Sequence, residues 1–189
     1  AREPWRVAAA WLLQQQLARG INTPYSSSMG RYFDLVAALA GVRLQQGYEG
    51  EAPQRLQALA QPCAPLAEAW HTDAANVLQL APLLRQLLAQ PDAATIASLW
   101  HATLAAALAS WVLATAQQHH LGTVALGGGC FANRTLLAAL LPRLQQAGLA
   151  VYHPQALPAG DGGLAVGQAW VARQILANKE TDPCAWPCR

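Results

Sequence analysis

Three short stretches of this 189-residue chain combine residue types that could do chemistry. The first is Gly127-Gly128-Gly129, which reads as the link between a strand and a helix, with Asn133 in the first helical turn. Glycines let a backbone pass close to a ligand, and a helix N-terminus offers unpaired N–H groups and a dipole that favours an anion. Asn133 could then hydrogen-bond a ribose or a base, although a tight strand-to-helix turn needs glycine in any case. The string is not the dinucleotide fingerprint G-x-G-x-x-G, because position 132 is alanine and no acidic residue follows at the expected distance. The second stretch, Asp161-Gly162-Gly163, opens a helix after a proline-containing loop. An aspartate there is ordinarily a cap; alternatively, a carboxylate beside two glycines can reach a cation that also touches phosphate. The third pairs Ser26 to Asp34 with Tyr48-Glu49-Gly50-Glu51. Asp34 could bind ribose hydroxyls and Gly50 could let the chain pass close to a nucleotide, against the plainer alternative of a capping loop and a solvated acidic turn.

Other residues that invite chemistry carry less. His119 and His120 are adjacent, so on a helix they point about 100° apart and are poorly placed to share one ion. Cys63, Cys130, Cys184 and Cys188 contain no C-x-x-C pair, so a disulfide framework or zinc site is not expected, and the last two read as tail thiols. Lys179 is the sole lysine and no G-x-x-x-x-G-K string precedes it, which rules out a Walker-type phosphate loop.

The elements that must position these residues follow from composition and periodicity. The chain is 53% hydrophobic and 12% charged, which excludes intrinsic disorder. Twelve basic residues nearly cancel ten acidic ones and form no cluster, so no nucleic-acid partner is expected. Abundant alanine and leucine favour helix. Helices are predicted at 5–18, 30–40, 51–60, 93–119, 132–146 and 164–177, with 63–76 as loop containing short strands and 77–88 ambiguous. Between Ala93 and Gln118 no Asp, Glu, Lys or Arg occurs, a length sufficient to cross a bilayer. Its large apolar residues (Ile96, Leu99, Trp100, Leu104, Leu108, Trp111 and Val112) form one helical stripe among hydroxyls and small residues, which predicts a buried helix and no membrane anchor. Strands at 123–126 and 149–153 flank a helix, a βαβ unit of a parallel or mixed sheet. More strands are needed to complete such a sheet, and they are expected upstream of Ala1. The fold class is therefore α/β and helix-rich, with one domain over 1–177 and a disordered tail over 178–189. No charged and apolar leader opens the chain, so a cytoplasmic location is expected.

Read in order, the strings REPWRVAAAWL, SSSMGRYFDLVAALAGV, YEGEAPQRLQALA, VALGGGCFANRTLL and LPAGDGGLAVGQAWVA resemble the C-terminal half of the HypF carbamoyltransferase family, which matures nickel–iron hydrogenases. More distantly they are similar to threonylcarbamoyl transferases that modify tRNA, and both groups belong to the actin/sugar-kinase/ribonuclease-H-like superfold. The resemblance implies transfer of a carbamoyl group from carbamoyl adenylate, itself made from carbamoyl phosphate and ATP in another module, to the C-terminal cysteine of the partner HypE. It implies phosphate contact at Gly128 and Gly129, nucleoside contact at Asn133, ribose contact at Asp34 and nucleotide packing at Gly50. It implies a divalent metal (Fe, Zn or Mg) with Asp161 as one ligand. Cys130 stands where the family usually has an aliphatic residue and is not expected to be a nucleophile. The family's metal histidines lie in an upstream H-x-x-x-H string that does not precede Ser26 here. The chain is therefore expected to supply one side of a nucleotide and metal cleft, to depend on the remainder of a HypF-like polypeptide, and to be inactive alone. The tRNA-modifying reading is weakened by Leu35, Glu49 and Glu51, where those enzymes carry F-D-K and Y-P-G-G strings. A truncated, non-catalytic binding module is the third reading. In the favoured reading the turns near residues 130 and 162 face a common adenylate.

Overall fold

The computed structural model describes residues 4–24 and 26–177. Seven helices run in chain order: α1 (Pro4–Arg19), α2 (Met29–Leu39), α3 (Glu51–Leu59), α4 (Ala81–Leu88), α5 (Ala93–Gln118), α6 (Arg134–Gln146) and α7 (Leu164–Ala177). Four short strands, β1 (His71–Thr72), β2 (Leu78–Gln79), β3 (Thr123–Ala125) and β4 (Ala150–Tyr152), complete the described elements. The ambiguous 77–88 segment resolves into β2 and then α4, with proline in the first helical turn, where its missing N–H costs nothing. The expected tail, with Cys184 and Cys188, lies outside the described residues.

α5 is the centre of the molecule. Asp92 caps it, its carboxylate accepting from the Thr95 N–H at 2.8 Å and from the Thr95 hydroxyl at 2.8 Å. α6, α3, α4 and α2 all pack against it. Burial is consequently not confined to the expected stripe: Ala97, Ser98, Ala102, Thr103, Ala105 and Ala107 are buried alongside Ile96, Trp100 and Leu104. Small residues let neighbouring helices approach on every side, and 61% of the most apolar 18-residue window lies inside the protein. α6 crosses the β3–β4 pair and presents Leu136, Leu140 and Leu144, spaced four apart and fully buried.

β3 and β4 are parallel, pairing Thr123 with Ala150, Val124 with Val151 and Ala125 with Tyr152. The predicted βαβ unit is present, but among the described residues its sheet has two strands. Parallel strands are normally covered on both faces. Here α7 buries none of its residues, and Leu164, Trp170, Ile175 and Leu176 stand exposed. α1 likewise exposes Trp11, Leu12, Leu13 and Leu17.

Replacing Leu140 with alanine removes a fully buried side chain at the α5–α6 contact and should cost about 2–5 kcal/mol, read as a lower urea midpoint with an unchanged slope. The exposed Leu176→Ala change should leave the midpoint almost unmoved.

Candidate functional site

β3 ends in the glycine turn. Leu126 N–H still bonds to Tyr152 O at 2.8 Å, after which Gly128 takes φ +104°, a conformation that side chains strongly disfavour. A 3-10 turn over Gly129–Ala132 follows, and α6 begins at Arg134, two residues later than predicted. Asn133 is the N-cap and not a first-turn residue. Its Oδ1 accepts the Leu136 N–H at 2.9 Å, and the residue is buried.

The second glycine string lies directly against the first. The Gly128 N–H donates to Ala159 O at 2.8 Å, and a Cβ on Gly160 would sit 3.2 Å from Gly129 Cα. Within Asp161–Gly163, which forms a 3-10 turn, a Cβ on Gly163 would fall 2.6 Å from the Pro158 carbonyl oxygen. The glycines of this string are therefore needed for close packing. Asp161 is exposed, and among the described residues no hydrogen bond or ion pair engages its carboxylate. It thus does not act as a side-chain cap.

Gly129, Cys130, Ala132 and Asn133 form one wall of a cleft of about 630 Å³. The opposite wall comes from the start of α2 (Gly30, Arg31, Phe33 and Asp34) and from Glu49, Gly50 and the start of α3. Four expected site residues (Asp34, Gly50, Gly129 and Asn133) thus share one cavity despite lying far apart in sequence. Gly128 and Asp161 are not among its lining residues; both belong to the adjoining contact between the two turns.

Each wall has a structural reason. Gly50 is left-handed at φ +82° and starts α3. Glu51, which follows it, is buried and is no solvated acidic turn. It accepts the Gly47 N–H at 2.6 Å and the Arg55 Nε–H at 2.9 Å, and lies 3.2 Å from Arg43 Nε. These partners, the Gly47 N–H foremost, hold its carboxyl below the usual glutamate value in spite of burial. Asp34 projects from α2 with Arg31 at 2.7 Å and the Gln46 side-chain amide at 2.9 Å. Burial pushes the Cys130 thiol up, and the Asp34 carboxylate adds to the effect while Arg31 opposes it. A thiolate is disfavoured there, which agrees with Cys130 acting as a packing residue.

His101 is a site residue that sequence reasoning passed over. It lies on α5, 1% exposed, with Nδ1 2.7 Å from Ala97 O and Nε2 2.9 Å from Asn133 Nδ2. Its signal was available: an imidazole inside a long helix free of charged residues must find polar partners when buried. Burial pushes it below the ordinary histidine value, against a smaller opposite pull from the Ala97 hydrogen bond. Among the described residues no three His, Cys, Asp or Glu side chains converge as a metal cluster.

Comparisons with known proteins bear on this arrangement. Residues 1–168 match the family described as carbamoyltransferase, Kae1-like domain, second subdomain. HypF2 of Cupriavidus necator is 40% identical over an alignment covering 94% of this chain and 28% of that protein. HypF of Rhizobium leguminosarum bv. viciae is 40% identical, covering 96% of this chain and 27% of that protein. The crystal structure of a full-length HypF in a phosphate- and nucleotide-bound form superposes with a TM-score of 0.81 at 32% identity, over 95% of this chain and 24% of that one. The architecture is therefore a helix-rich α/β lobe of the actin/sugar-kinase/ribonuclease-H-like superfold. The chain belongs to the HypF carbamoyltransferase family, and it spans about a quarter of the length of these relatives.

Because the Glu51 carboxyl is held low, its contribution to stability is complete above the ordinary glutamate value and is lost as pH falls through the lower native value. Glu51→Gln should lower stability near neutral pH and flatten the acid limb of a urea-midpoint profile, whereas Glu49→Gln, at an exposed position, should change neither.

Proposed function

We propose that this chain supplies one wall of the cleft in which a carbamoyl group passes from carbamoyl adenylate to the C-terminal cysteine thiolate of HypE. The observation that carries this reading is the cavity shared by Asp34, Gly50, Gly129 and Asn133, with the Asp161 turn packed against the glycine turn. In the reaction the sulfur forms a bond to the carbamoyl carbon, the bond from that carbon to the adenylate oxygen breaks, and AMP departs with the electron pair. AMP is a good leaving group and the acyl carbon is already activated, so the protein's task is positioning and charge stabilisation.

The Gly128–Gly129 turn leaves room for phosphate to approach the backbone, and the N-terminus of α6 adds a favourable dipole. Asp34 is assigned to the ribose hydroxyls, to which its oxygens can turn from Arg31 and Gln46. Gly50 is assigned to packing against the nucleotide. Asp161, with no protein partner among the described residues, is assigned as one ligand of a divalent metal (Fe, Zn or Mg) that would neutralise phosphate charge.

The two-stranded β3–β4 pair, packed by α6, and the exposed faces of α7 and α1 support dependence on the remainder of a HypF-like polypeptide, with HypE as thiol donor. Alone, the chain is then a nucleotide-binding lobe without turnover, working in the cytoplasm without membrane or nucleic-acid partners.

Calorimetric titration with ATP and Mg²⁺ tests this. Binding is expected, about tenfold weaker in Asp34→Ala, with the Mg²⁺-dependent part removed in Asp161→Asn. Absence of nucleotide heat with or without Mg²⁺, or wild-type titrations from both variants, would overturn the reading. Release of AMP from carbamoyl phosphate and ATP by the chain alone would contradict its dependence on other modules.

A further inference from the structure

The hydrogen bonds around His101 leave no freedom in proton placement. Ala97 O can only accept, so Nδ1 carries the proton and donates along the 2.7 Å contact. The Leu136 backbone nitrogen can only donate, so Asn133 must offer Oδ1 to it and turn Nδ2 towards α5. Nδ2–H then donates to His101 Nε2 at 2.9 Å, and the neutral imidazole is the acceptor. One relay therefore runs from the Ala97 carbonyl through the imidazole and the Asn133 amide to the first turn of α6. Asn133 also lines the nucleotide cleft, and its own N–H closes the 3-10 turn by bonding to Cys130 O at 3.2 Å.

We propose that His101 is a positioning residue for the nucleotide cleft: its neutral imidazole fixes which way the Asn133 amide faces, and so holds the Gly129–Ala132 turn in its binding conformation. This inference rests on the nucleotide reading of that cleft. A protonated imidazole would present N–H to N–H across the 2.9 Å contact. Relief requires the Asn133 amide to flip, which puts its NH2 against the Leu136 N–H and breaks the α6 cap.

Burial is the main opposition to that protonation, against a smaller favourable pull from the Ala97 hydrogen bond. From α2, the Phe33 ring leans on the imidazole with centroids 5.6 Å apart. A second cavity, of about 490 Å³, has His101 in its wall, with Arg134 and Arg143 of α6 and the Cys63 thiol as its other charged or titratable groups. The Cys63 thiol, exposed at the cavity rim, is pushed up by partial desolvation. No carboxylate lines this cavity, so no partner favours an imidazolium.

Glutamine separates positioning from titration, because its amide oxygen can accept from Asn133 Nδ2 while the amide takes up no proton on acidification. At neutral pH, nitrogen NMR is expected to show His101 in the Nδ1–H form and a single, slowly exchanging Asn133 side-chain NH2 pair. Both signals should move with one midpoint on acidification. His101→Gln should bind ATP within about twofold of the wild type at neutral pH, and His101→Phe about tenfold more weakly. The ratio of wild-type to His101→Gln affinity should fall on acidification; the ligand's own phosphate titration is common to both proteins and cancels. The proposal is overturned if the two proteins share one pH profile, if the Asn133 pair ignores His101 titration, or if a folded His101→Phe binds like the wild type. Should His101→Phe not fold, the His101→Gln profile decides alone. A wild-type chain that shows the coupled signals but no ATP heat supports the relay and overturns the nucleotide reading instead.

Discussion

The structure depends on satisfying the few polar side chains of an apolar helix that is buried nearly all round. α5 carries Ser98, His101 and Thr103 in its buried portion, and a buried polar group without a partner costs about 1–3 kcal/mol. None of these three is left without one, although the buried Trp100 indole N–H of the same helix has no hydrogen-bond partner among the described residues. The Ser98 hydroxyl accepts the Gln61 N–H at 2.9 Å and donates to Ala94 O, while Thr103 accepts the Leu66 N–H at 3.0 Å. These two contacts pin the segment after α3, which has no regular structure to satisfy its own backbone. His101 holds the cap of α6 in the same manner. A helix that satisfies the length and composition of a membrane span is thus tied to its neighbours through side chains that lipid could not satisfy.

Around that helix the cleft is assembled from elements that pack on it. α2 contributes Phe33, which stands edge-on to Trp100 of α5 with centroids 5.3 Å apart. Asp34, the next residue, therefore reaches the cleft from a wall anchored in the core. The other wall is a turn of glycines fixed by a backbone hydrogen bond and by contacts too close for any side chain. The site is consequently stiff at its base and open at its mouth, where the acidic turn at Glu49 meets solvent.

Much of this was legible in the residues. The stripe of large apolar residues marked α5 as a core helix, the strand–glycine–helix–strand order marked the βαβ unit, and the five strings in order marked the family. Three features were not. The burial of Glu51, against the alternative of a solvated acidic turn, was not legible because its partners, Arg43, Arg55 and the Gly47 N–H, become visible only when the chain doubles back. Asn133 read as a first-turn residue because the 3-10 turn before α6 delays the helix, and no propensity encodes that delay. The composition of α5 signalled that a buried His101 needs polar partners but not which one, because Asn133 lies 32 positions away, a distance local patterning does not span.

α7 has a consequence of its own. An element that buries no side chain gains almost nothing from the hydrophobic effect, so its opening is governed by local helix energetics alone. The Asp161 turn feeds directly into that helix. Its carboxylate thus hangs between a glycine turn fixed to the sheet and the element with least to hold it, and covering α7 would also remove the slack in Asp161. Burial of that greasy surface against another body would therefore order the helix and the carboxylate beside it in one event.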